Sequence, residues 1–158
     1  MKKGRPALIV ILSAVALASA AALIIYFAFI LGLRTAYKED ALEINDALRG
    51  ADRIILSSGD TGFEVSLKEA EYYNRFLLDR YTAVYSRKEV KEDDESIVLE
   101  FGGCRLSFTN AGKDGTAVAL RWHTPGAPSA EDRTYLVRTQ TTFMQLKAYF
   151  KNMLARRQ

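Results

Sequence analysis

Residues 97–109 read Ile97-Val98-Leu99-Glu100-Phe101-Gly102-Gly103-Cys104-Arg105-Leu106-Ser107-Phe108-Thr109, two apolar-rich runs on either side of a Gly-Gly pair. A two-residue turn between strands needs positive φ, which glycine adopts without steric cost, so the stretch predicts an antiparallel β-hairpin. In its second arm Cys104, Leu106 and Phe108 alternate to one side, which marks that side as the core face. Downstream, Asp114-Gly115 predicts a turn, 116–122 a strand, 124–130 a Pro/Gly-rich loop and 134–137 a strand. Upstream, 82–88 predicts a further strand, and Lys91 to Glu95 (KEDDE) a solvated turn. That turn lacks the alternating ligands and central glycine of a helix–loop–helix calcium site.

Two more strands are expected at 53–57 and 63–65, joined by Gly59-Asp60-Thr61-Gly62. Ser66 with Glu69 three residues on forms a capping box, which starts a helix over 67–80 with Leu67, Ala70, Tyr73, Leu77 and Tyr81 as its inner stripe. A last helix over 141–156 carries Phe143, Leu146, Phe150, Met153 and Leu154 on one face, and Arg156 and Arg157 close it as favourable charges at a helix end. Strands joined by short turns make an antiparallel sheet. Two amphipathic helices need an apolar face to cover. The fold class is therefore α+β: over 52–158, a small two-layer domain with an antiparallel sheet and two helices packed on one face.

Ahead of it lies a run of 27 residues, Ala7 to Leu33, without a charged side chain. As a helix it reaches roughly 40 Å, against the ~30 Å hydrocarbon core of a bilayer. Ala18-Ser19-Ala20 has the small residues of a signal-peptide cleavage site, but the apolar run continues well past it, which favours an uncleaved transmembrane helix over 7–33. Residues 1–6 are its basic flank. Lys2, Lys3 and Arg5 outweigh the charges near the far end (Arg34, Lys38) and point to a cytoplasmic N-terminus with the C-terminal domain extracytoplasmic, in the cell membrane. Within the run Ala14, Ala18 and Ala22 share one helical face, a candidate surface for self-association into a homo-oligomer. Residues 34–51 repeat Ala41, Ile44, Ala47, Leu48 and Ala51 at three- and four-residue steps. They predict a helical stalk, either continuing the first helix or breaking from it near Gly32.

The formal charge is +3 and the pI about 9.0. Setting aside Lys2, Lys3 and Arg5 leaves 19 basic residues against 19 acidic ones. The folded part is thus neutral overall, without the basic excess that nucleic-acid binding requires. The single cysteine excludes an internal disulfide.

Chemistry is sparse. Cys104 and His123 are each unique, but alternation sends them to opposite faces: Val118, Leu120 and Trp122 form the apolar set of their strand, with His123 on the other side. One His and one Cys do not make a zinc site, and no phosphate loop or nucleophile elbow occurs. No cofactor or metal is expected. The loop that gathers Trp122, His123, Pro125 and Pro128 is the candidate partner-binding segment, since loops on a rigid sheet often carry binding function. The expectation is a single-pass, membrane-anchored, non-enzymatic protein. It contacts lipid through 7–33 and binds other membrane or surface proteins, as a subunit of an assembly or as a sensor or regulator. The alternative is a tethered enzyme or small-ligand domain using the loop around His123.

Overall fold

The computed structural model describes residues 5–79, 82–85, 93–112, 118–123 and 132–158. Among them are three helices and seven strands: α1 Arg5–Arg49, β1 Ile54–Ser58, β2 Thr61–Val65, α2 Leu67–Leu77, β3 Ala83–Tyr85, β4 Ile97–Phe101, β5 Cys104–Asn110, β6 Val118–His123, β7 Arg133–Arg138 and α3 Phe143–Ala155. The strands form one antiparallel sheet in the order β2-β1-β4-β5-β6-β7-β3. The four central strands are a meander, with the β1–β2 hairpin on one flank and the short β3 on the other.

The β4–β5 hairpin closes through Gly102 and Gly103, whose φ angles of 56° and 79° are the left-handed values such a turn demands. Register then carries the core across the sheet. Leu56, Leu99, Leu106 and Trp122 oppose one another in sequence along one row, and Ile97, Phe108, Leu120 and Tyr135 along the next. Opposed residues share a face, so these rows make one continuous apolar surface, and all eight side chains are buried.

Three helical segments cover that surface. In α2 the capping box is present: the Ser66 hydroxyl accepts from the Glu69 backbone N–H, and the Glu69 carboxylate accepts from the Ser66 backbone N–H at 2.8 Å. That backbone hydrogen bond, with Arg157 assisting and partial burial opposing, holds the Glu69 carboxyl below the usual range. The buried stripe of α2 is Ala70, Tyr73, Asn74, Phe76 and Leu77. Leu67, expected inside, is 37% exposed in the first turn of α2, and Tyr81 lies outside the described residues. A second capping box, Thr142 with Gln145, starts α3, which buries Phe143, Leu146, Phe150 and Met153. Arg157 does more than neutralise a helix end. It grips both carboxylate oxygens of Glu69 at 2.8 Å and lies 4.5 Å over the Phe63 ring, tying the end of α3 to the start of α2 and to β2.

The third segment is the second half of α1. Residues 34–51, read from sequence as a stalk, are packed into the domain. Tyr37, Ala41, Ile44 and Leu48, at steps of four, three and four, join the core cluster, and Leu33 packs against it. The sheet is therefore covered by α2, α3 and the second half of α1. The helix continues through Gly32 without a break. Its first half makes no such contacts: from Ile9 to Phe29 every residue is exposed, in all directions round the helix.

Candidate functional site

Two places gather polar chemistry, one on each side of the sheet. On the face of the sheet away from the row of Leu56, Leu99, Leu106 and Trp122, β6 places Arg121 and His123, and the chain returns at Asp132 just before β7. Trp122 opposes Arg133, so His123 falls next to Asp132 on the other face. The Asp132 carboxylate accepts a 2.6 Å bond from Arg121 Nε on one oxygen and sits 2.6 Å from His123 Nδ1 on the other. Burial by itself would raise this carboxyl. The hydrogen bonds and charges of His123 and Arg121 outweigh it and hold Asp132 below the usual aspartate range. Beside them, Glu100 and Arg105 pair directly across the β4–β5 hairpin, and Arg105 opposes His123 across the β5–β6 pair. That face thus carries a row of opposed charges among the described residues.

The sequence-predicted loop is divided by this geometry. Trp122 is 1% exposed and stacks on Phe101 within the core, whereas His123 is half-buried on the opposite face. Strand alternation separates them, so the indole is no part of a loop surface. Pro125 and Pro128 lie outside the described residues. Cys104 is buried on the helix-covered side, its thiol pushed up by burial and by the nearby Glu43 charge, across the sheet from His123. Among the described residues no group of three His, Cys, Asp or Glu is placed to hold a metal ion. Ala14, Ala18 and Ala22 are exposed along the first half of α1. Lys2 and Lys3 lie outside the described residues, and α1 starts at Arg5.

On the helix side the polar groups fasten α1. Asp40 is 3% exposed and accepts hydrogen bonds from the Tyr135 hydroxyl and from Arg133 Nη1, both on β7. Burial, then the Asp40 bond, pushes the Tyr135 phenol up, so it stays a donor. Tyr37 stands edge-on to Tyr135 and donates its hydroxyl to the Leu77 carbonyl at 2.9 Å, while Asn74 Nδ2 donates to Asn45 Oδ1 at 2.5 Å. Where α1 and the end of α2 diverge they leave a cavity of about 320 Å³. Arg34, Lys38 and Leu42 line it from one helix, and Leu78, Asp79 and Thr82 from the other side. The sequence carried one trace of it: Arg34, Lys38 and Leu42 recur every fourth residue and so share a helical face.

No protein-family model, curated protein or solved structure matches this chain.

Proposed function

We propose that the chain is a single-pass membrane protein whose α+β head binds other membrane or surface proteins, with its N-terminus cytoplasmic and its head extracytoplasmic. The observation that carries the anchoring is the first half of α1. Ile24, Ile25, Tyr26 and Phe27 are each 59–69% exposed and, at about 100° per residue, point in different directions round the helix. Water is a poor solvent for such a surface, and lipid satisfies it on all sides. What supports a binding head rather than catalysis is how the candidate groups are engaged. Asp132 spends both carboxylate oxygens on Arg121 and His123, which suits the fastening of a loop end to β6. The thiol lies on the other side of the sheet. Self-association through Ala14, Ala18 and Ala22 belongs to the same reading.

Alkaline carbonate extraction of membranes holding the full chain tests the anchor, and protease accessibility of the head in sealed right-side-out vesicles tests the direction. The chain is expected to pellet with the membranes at its full length, with the head digested from outside. Release into the carbonate supernatant, or cleavage near Ala20, overturns the anchor. A head protected in intact vesicles reverses the orientation.

A further inference from the structure

An open sheet has two edges, and each edge strand offers unpaired backbone groups to any strand that reaches it. β3, at one edge, is three residues long and has α1 packed beside it. β2, at the other, is five residues long, with Thr61, Gly62 and Glu64 exposed and, among the described residues, no strand beyond it. A two-residue turn closes the β1–β2 hairpin on the Ser58–Thr61 pair. Pairing alternates from there, so Thr61, Phe63 and Val65 bond to β1, whereas Gly62 and Glu64 turn their N–H and C=O groups outward. The Glu64 carbonyl does not stand open. It accepts a hydrogen bond from Arg157 Nη1, which reaches it from the end of α3. The same guanidinium holds both carboxylate oxygens of Glu69 at 2.8 Å and lies 4.5 Å over the Phe63 ring.

We propose that Arg157 is a latch on the outer edge of β2, and that the unlatched edge pairs antiparallel with the same edge of a second copy of this chain. The strand is complementary to itself. A twofold axis through Phe63 sets each Gly62 against the opposite Glu64, and the outward N–H and C=O groups of all four residues find partners. Phe63 meets Phe63 as a non-hydrogen-bonded pair, the closer kind, and Thr61 meets Val65. Each Glu64 carboxylate faces a glycine, so no like charges oppose one another. Arg157 denies this pairing by occupying the Glu64 carbonyl, one of the acceptors it needs. Glu69, fixed by its capping box at the start of α2, keeps the guanidinium in place. These contacts are charge-assisted and must be given up before the edge can pair. The Ala14, Ala18 and Ala22 face is a separate surface that substitutions in the head leave untouched.

Sedimentation equilibrium of the full chain in density-matched detergent micelles measures self-association, and the emission of buried Trp122 confirms that each head is folded. A charge-assisted hydrogen bond that must break before pairing suppresses association by about ten- to a hundredfold. Arg157→Ala should therefore strengthen self-association by that factor. Glu69→Gln keeps a capping-box side chain but removes the carboxylate that holds the guanidinium, and should strengthen it by less. It decides the matter where Arg157→Ala does not fold. Adding Glu64→Pro to Arg157→Ala should return association to that of the natural chain, because it deletes an outward N–H that makes no bond to β1. Adding Glu64→Ala instead should leave the stronger association in place. Folded latch variants that associate no more strongly than the natural chain overturn the proposal. So does association that survives Glu64→Pro, which would place it on another surface. So does association that Glu64→Ala also abolishes, which would rest it on the carboxylate rather than the backbone edge.

Discussion

Ile44→Ala should destabilise the head, while the same substitution twenty residues earlier on the same helix should not. Ile44 is 1% exposed and belongs to the core cluster, whereas Ile24 is 69% exposed on the apolar half. Deleting the buried side chain down to Ala removes its transfer free energy and leaves a cavity that the sheet and α2 only partly fill, at a cost of about 2–5 kcal/mol. Taking about 3 kcal/mol, and a urea dependence of roughly 2 kcal/mol per molar for a head of this size, the unfolding midpoint falls by about 1.5 M. The assay is built into the chain. Trp122 is the only tryptophan, is 1% exposed and stacks on Phe101, so its emission reports the head alone when the full chain is unfolded in detergent micelles. Ile24→Ala should move the midpoint by no more than its error, since surface substitutions stay within about 0.5 kcal/mol. Equal midpoints for Ile44→Ala and the natural chain would refute the packing of α1 into the head and restore 34–51 as a free stalk.

The same packing predicts that a fragment beginning at residue 34 folds, whereas one beginning at residue 52, which lacks Tyr37, Ala41, Ile44 and Leu48, gives exposed-tryptophan emission and no cooperative unfolding. Gly102→Ala should cost about 1–2 kcal/mol by urea titration, because an added Cβ meets open space and only the positive φ opposes it. Asp132 should contribute stability that depends on pH. Its folded carboxyl lies below the ordinary value of about 3.9, so the contribution is complete at neutral pH and fades from about pH 5 downward, as the unfolded chain takes up its proton first. The stability gap between Asp132→Asn and the natural chain should accordingly narrow between about pH 5 and pH 3, and a constant gap would remove the linkage.

The β-hairpin at 97–109 was legible because two adjacent glycines between alternating arms have few other uses, and the φ angles at Gly102 and Gly103 answer to that demand. The capping box at Ser66 and the inner face of α3 were legible for a similar reason: each is set by residues within a few positions of one another. The second half of α1 was half legible. Its three- and four-residue spacing says that one face is buried, yet periodicity does not name the surface that buries it, and a stalk fits the same pattern. Asp40 shows where sequence stops. It is a carboxylate inside an apolar stripe, and its partners Arg133 and Tyr135 stand 93 and 95 residues away on β7. Only the fold brings them together. Trp122 had two readings, loop surface and strand core. Alternation with Val118 and Leu120 was the sounder guide, because a side chain one position away from a loop still obeys the pleat.

The fastening of α1 bears on how a membrane-anchored head would communicate. Its ties lie within three turns: Tyr37 to the Leu77 carbonyl, Asp40 to Tyr135 and Arg133, and Asn45 to Asn74. They reach α2 on one side and β7 on the other, and the helix runs unbroken from them through Gly32 into its apolar half. A tether with a flexible joint would let the head tumble, insensitive to the tilt or rotation of its anchor. Here a rotation of the apolar half has no hinge in which to dissipate. It must either shear buried hydrogen bonds, which costs the desolvation of Asp40, or turn α2 and the sheet with it. The arrangement favours the second, so a rotation of the apolar half would carry the sheet with it.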